Sequence, residues 1–154
     1  MGICENLEPK RVFFYFEEIC GIPHGSGNTK AISDYCVSFA KGHNLKWVQD
    51  ESNNVIIFKE GSKGYEDSEP VIIQGHLDMV CEKESHVDID FEKDGLRLYI
   101  DGDFLKAEGT TLGGDDGIAV AYGLALLDGQ YRHPRIELVI TVDEEVGMDG
   151  ARAI

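Results

Sequence analysis

Two apolar runs that stop abruptly in ionisable residues constrain this chain more than any other feature. Residues 70–76, PVIIQGH, run into HLD, and residues 135–142, RIELVITV, run into DEEVG. Runs of this length and β-branched content predict strands, and the unbroken apolar character of the first predicts a central strand buried on both faces. Between them lies GGDDGIAVAYGLALLDG, residues 113–129, opened by aspartates, closed by Gly129 and apolar almost all round, so a buried helix is expected there. Gly123 inside it lowers intrinsic helicity and points to close backbone packing. Strands alternating with helices indicate an α/β domain, with a mixed, mainly parallel sheet flanked by helices.

The rest of the chain fits the same class. Val12, Phe13, Phe16, Ile19 and Cys20 recur at helical spacing from Pro9 onward, with Glu17 and Glu18 on the other side. GIPHGSGN ends that helix, and Ser26 or Asn28 is placed to cap the next, whose apolar stripe is Ala31, Ile32, Tyr35, Cys36, Phe39 and Ala40. LKWVQ and NVIIF, joined by a turn at Asn53-Asn54, read as a hairpin, and LRLYIDGDFLKAEG as two short strands about Asp101-Gly102. Residues 60–70 and 82–95 are charged connections.

With 154 residues, 42% of them hydrophobic, one compact domain is expected. The formal net charge of −15 argues against nucleic acid or an anionic lipid surface as partner and favours cations. No run reaches the roughly 20 apolar residues of a membrane helix, MGICENLEPK has no signal-peptide pattern, and Asn6 stands where a myristoylation motif wants Ser or Thr. A cytoplasmic protein is expected. Cys4, Cys20, Cys36 and Cys81 are widely spaced with no C-x-x-C, which reads as ordinary reduced thiols.

Ligands in open α/β sheets bind at the carboxyl ends of strands, so His76, Asp78, Glu144 and Glu145 are expected to share one edge, joined by Asp115 and Asp116 at the helix start. Singly, these motifs read as capping or solvated loop. Together, several carboxylates with no Lys or Arg in HLD, GGDDG or DEEVG repel one another unless a cation neutralises them. One imidazole with carboxylates suits zinc, or cobalt or manganese. Asp78, two residues after His76, projects to the same side of an extended strand, where its carboxylate can orient the imidazole.

GHLDMVCEK (75–83), GTTLGGDDGIAVAYGLALL (109–127), TVDEEVGMDGA (141–151) and the earlier IPHGSGNTKAISDY resemble the co-catalytic di-zinc metallopeptidases, and among them the aminoacyl-histidine dipeptidases. This resemblance implies a zinc-peptidase-like catalytic domain that hydrolyses Xaa-His dipeptides. It implies that His76 binds one metal, Asp78 orients it, Asp115 bridges two metals ahead of a cis peptide, Glu145 binds the second and Glu144 is the general base. Asp116 departs mildly from the Asn common at that position. The family's further acidic and histidine ligands and its inserted lid and dimerisation domain have no counterpart in residues 1–154. The chain is therefore expected to be the N-terminal part of the catalytic domain, a weak metal binder with little activity alone, and the full-length enzyme a homodimer.

Alternatives within and outside this chemistry are a related two-metal deacylase or tripeptidase, or a non-catalytic acidic domain binding a partner or calcium. Calcium wants six to eight oxygens, whereas a site using His76 prefers zinc. PHGSG contains neither G-x-x-x-x-G-K-[ST] nor G-x-S-x-G, so His24 and Ser26 read as a Gly-rich turn with a capping serine. His43, His86 and His133 read as surface histidines, and Cys81 as packing, since acidic surroundings disfavour thiolate.

Overall fold

Alternation of apolar residues along the second half of the chain builds the centre of the molecule. The computed structural model describes residues 2–154. In β6, Ile136–Thr141, the residues Ile136, Leu138 and Ile140 are buried on one face. The pairing register carries that face across the sheet, aligning Ile57, Leu138 and Ile73 in one row and Val55, Ile140 and Gly75 in the next. The sheet order is β1 (Lys46–Gln49), β2 (Val55–Lys59), β6, β3 (Val71–His76), and a separate hairpin joins β4 (Leu98–Asp101) to β5 (Phe104–Ala107).

The fold is α/β with a mixed sheet, as expected, but only the β3–β6 pairing is parallel; β1–β2 and β2–β6 are antiparallel. Among the described residues β3 is also not central. It lies at the edge of the four-stranded sheet, and Ile72 is 65% exposed. A continuous apolar run fits an edge strand equally well when only its last residues, here Gly75 and His76, are enclosed by a helix.

α1 (Lys10–Cys20), α2 (Lys30–Gly42) and α3 (Gly114–Asp128) share one core with the inner face of the sheet. α2 packs on β1 and β2, α3 on β3 and β6, and α1 on α3. Fully burying a Leu or Ile in such a core contributes about 1.5–3 kcal/mol, and Ile19, Ile32, Ile57, Leu124, Leu138 and Ile140 are all buried here. Gly123 meets the expectation of close packing: a Cβ there would lie 2.4 Å from Leu138 Cδ1.

Three local expectations change. Neither Ser26 nor Asn28 caps α2; Thr29 occupies the N-cap position without a side-chain cap bond. His133 is buried, its ring Nδ1 bonded to the Pro134 carbonyl at 2.7 Å and its backbone N–H to Ser62 Oγ. His43 stacks on Phe39 and reaches Asp128, while His86 is exposed. A short α4 (Asp149–Ala153) follows the DEEVG turn, with Ala153 and Ile154 over the outer face of the sheet beside Val48 and Ile56. All four cysteines are free, and burial first, then Glu82, pushes the Cys81 thiol up.

Candidate active site

Parallel pairing of β3 with β6, His76 opposite Thr141, places the residues after both strands at one end of the sheet. There Leu77 N–H donates to the Thr141 carbonyl, and the β6 chain turns sharply, with Asp143 and Met148 at positive φ and Met148 N–H returning to the Glu144 carbonyl. The start of α3 enters the same space. Its Asp115–Asp116 peptide is cis, and both residues have non-helical dihedrals before the helix proper begins.

Ligand atoms of His76, Glu144 and Glu145 lie within 4.8 Å of one another. Asp115, its side chain 87% exposed, brings Oδ1 to 3.2 Å from His76 Nε2. Glu144 Oε2 is 3.9 Å from the same nitrogen. Asp116 points the other way: its Oδ2 accepts the His76 backbone N–H at 3.3 Å. Gly75 leaves room for that approach, since a Cβ there would lie 3.0 Å from Asp116 Oδ2 and press on it. Of the two aspartates, one faces the cleft and the other anchors the end of an edge strand. Burial, the largest influence, raises the Asp116 carboxyl above its ordinary range against the opposing pull of His76.

Asp78 is 1% exposed and is placed differently from the sequence expectation. His76 Nδ1–H donates to the Asp78 backbone carbonyl at 2.9 Å, while the carboxylate oxygen lies 3.4 Å from that nitrogen. The carboxylate itself accepts from Ser26 Oγ at 2.7 Å and from the backbone N–H groups of Glu144 and Glu145 at 3.0 and 3.2 Å. Burial opposes its charge, but these hydrogen bonds and His76 outweigh it, and its carboxyl sits below the ordinary range.

With the proton on Nδ1, Nε2 turns its lone pair toward Asp115 and Glu144. Burial opposes charge on His76, yet the Asp78 carbonyl, Asp78, Asp115 and Asp116 raise its affinity for a proton overall. The arrangement therefore favours positive charge at Nε2. The surrounding cleft, about 530 Å³, is lined by Gln74, His76, Asp115, Val139, Thr141, Glu144, Met148, Ala151 and Ile154, with no Lys or Arg. One imidazole and several carboxylates, with no cationic side chain to neutralise them, fit a divalent metal of the zinc, cobalt or manganese type.

Ser26 is the residue that spacing missed, because its partner Asp78 is 52 positions away. Gly27 N–H likewise donates to Asp143 Oδ1 at 2.7 Å, and Met79 N–H to the His24 carbonyl at 3.1 Å.

No family model matches the chain. The cytosol non-specific dipeptidase of Escherichia coli (strain K12) is 41% identical over 152 residues, which is 98% of this chain and 31% of that protein. Aminoacylhistidine dipeptidase from Vibrio alginolyticus superposes with a TM-score of 0.94 at 39% identity, over 97% of this chain and 31% of that one. A tripeptidase from Staphylococcus aureus shares the fold, with a TM-score of 0.76 at 23% identity over 94% of this chain and 39% of that one. The chain thus spans about a third of the length of the dipeptidases it matches.

Proposed function

We propose, for a chain that belongs to the family of the cytosol non-specific and aminoacylhistidine dipeptidases, that the complete protein is a cytoplasmic metallo-dipeptidase acting on small peptides, Xaa-His dipeptides foremost. Residues 1–154 supply the N-terminal part of its catalytic domain, and the full-length protein is a homodimer. The observation that carries this reading is the gathering of His76, Glu144 and Glu145, with Asp115 at 3.2 Å from His76, beside a cleft whose lining holds no Lys or Arg.

His76 and Glu145 would each hold one of two zinc ions and Asp115 both, with cobalt or manganese as substitutes. When bound, the metals lower the pKa of a water and polarise the scissile carbonyl. Glu144 takes one proton from the water that attacks the carbonyl carbon and delivers it to the amine nitrogen as the C–N bond breaks. Asp78 keeps both ends of this machinery in register. Through its carbonyl it fixes the His76 tautomer, and through its carboxylate it holds the Glu144–Glu145 backbone.

Calorimetric titration with zinc, with calcium as control, tests the metal part on the chain itself. Zinc is expected to bind in preference to calcium, and Asp115→Ala to abolish that binding; unchanged binding in the variant refutes the ligand assignment. In the complete protein, Glu144→Gln is expected to lower turnover of Xaa-His dipeptides by about 10²–10⁴-fold while zinc is retained. Near-full turnover would sink the role given to Glu144.

A further inference from the structure

The segment PHGSGN does something that its composition conceals. It is a loop between α1 and α2, yet three of its groups bind the chain just beyond the ends of β3 and β6. Gly25 forms a parallel bridge with Met79, and Met79 N–H donates to the His24 carbonyl at 3.1 Å. Ser26 Oγ donates to Asp78 Oδ2 at 2.7 Å, after β3. Gly27 N–H donates to Asp143 Oδ1 at 2.7 Å, after β6. Gly27 has φ +79°, a conformation that L side chains rarely adopt, and this tight turn presents hydroxyl and amide to two different strands.

The chemistry at Asp78 gives the hydroxyl a specific task. A carboxylate offers about four lone-pair directions and can rotate about χ2. Its Oδ1 receives Glu144 N–H and its Oδ2 receives both Glu145 N–H and the Ser26 hydroxyl. Ser26 is the one side-chain donor among these three and comes from a different part of the chain. It adds to Oδ2 a donor that lies outside the turn the carboxylate holds. Without it, Asp78 still carries the two amides, but nothing from the α1–α2 loop sets the angle at which it does so.

We propose that Ser26 is a positioning residue of the metal centre. By fixing the Asp78 carboxylate it sets where the Glu144–Glu145 backbone sits, and hence where the carboxylate ligand and the proton acceptor stand relative to His76, with the Gly27–Asp143 bond closing the clip on the same turn. The zinc part of this inference rests on the metallo-dipeptidase reading; the backbone part does not.

The test compares Ser26→Ala with the conservative Ser26→Thr, and with Asp143→Ala, which removes the other leg of the clip. Two readouts are used: amide hydrogen exchange at Glu144 and Glu145, and zinc affinity by calorimetry. Ser26→Ala is expected to speed exchange at those two amides about tenfold while the urea midpoint and exchange in the β2–β6 core stay within experimental scatter. Zinc affinity is expected to fall by up to about tenfold, below the range for loss of a direct partner of a metal ligand, because Ser26 acts through Asp78. Ser26→Thr is expected to restore both readouts to within about twofold, and Asp143→Ala to shift exchange in the same direction as Ser26→Ala.

Unchanged exchange in Ser26→Ala overturns the clip whatever zinc does. Faster exchange with wild-type zinc affinity overturns its link to the metal centre. Should the wild-type chain bind no zinc, the ligand assignment of the metallo-dipeptidase reading fails, and the exchange comparison still decides the clip. If Ser26→Ala lowers the urea midpoint and speeds exchange everywhere alike, or if Ser26→Thr fails to restore it, the serine is merely structural and the proposal falls.

Discussion

Replacing Gly123 by alanine sets two effects of known size against each other. In a helix interior alanine is favoured over glycine by about 1 kcal/mol. The new methyl, however, would lie 2.4, 2.9 and 3.2 Å from Cδ1, Cδ2 and Cγ of Leu138, in the middle of β6 and fully buried. Leu138 is 1% exposed, in the same packed core as Leu124 and Ile140, so any swing away displaces other core side chains. Relief requires α3 to lift from the sheet or Leu138 to leave its rotamer, and such overpacking costs about 1–3 kcal/mol. The net expectation is a loss of about 1 kcal/mol. Urea unfolding of Gly123→Ala beside wild type reads this directly, and the sharper measurement repeats it in a Leu138→Val background. Shortening Leu138 removes the two nearest atoms, Cδ1 and Cδ2, so the same substitution is expected to become neutral or stabilising there, a coupling of about 1–2 kcal/mol. Gly42→Ala at the end of α2, where a Cβ meets nothing within 4 Å, is the control and should not destabilise. A stabilising Gly123→Ala in the wild-type background would refute the claim that contact rather than propensity decides this position.

Two further outcomes follow from buried polar groups. Asn54, fully buried, donates to Asp50 Oδ2 and the Gly150 carbonyl and accepts from Val142 N–H, so Asn54→Ala is expected to lose about 2–4 kcal/mol in urea unfolding by leaving two buried backbone groups unpaired. A loss under about 0.5 kcal/mol would mean the contact contributes little. Asp78 carries the pH dependence: its folded pKa is depressed, so its stabilisation is full above the unfolded value of about 3.9 and is lost as pH falls through the lower folded value. The stability gap between wild type and Asp78→Asn should be widest near neutrality and shrink as pH drops below about 4; a gap independent of pH contradicts this sign.

Much of the candidate site was legible because it is written locally. His76 closes one apolar run and Glu144 stands two residues past the end of the other, and the end of a strand is a position sequence can mark. The same is true of the hairpins and of the three main helices, the buried α3 among them. What sequence did not carry was everything decided by distant partners. An apolar run does not say whether a neighbour will pair with its free edge, and among the described residues β3 lies at the edge of the sheet. Asp115 and Asp116 are chemically alike and adjacent, and only the approach of α3 to Gly75 sends one inward and leaves the other in the cleft. Ser26 looked like a cap because Ser before a helix satisfies free N–H groups; an ionised, buried acceptor 52 residues on competes more strongly for its hydroxyl. His133 sits among polar residues in sequence but is enclosed by Ser62 from another loop.

The bond that joins the two strand ends has a consequence for the order of events in folding. Asp78 and the Glu144 amide it holds are 66 residues apart, and the strands that bring them together pair in parallel. Closing a loop of that length precedes any reward from the contacts it makes, so the cluster comes into being late, after α3 has crossed from β3 to β6. A metal caught by neighbouring cysteines can seed a fold; one that needs this cluster has nothing to grip in the unfolded chain. Under the metallo-dipeptidase reading proposed above, bound zinc is expected to act on the lifetime of the native state, slowing unfolding while the refolding rate stays where it was, which stopped-flow unfolding and refolding with and without zinc would measure.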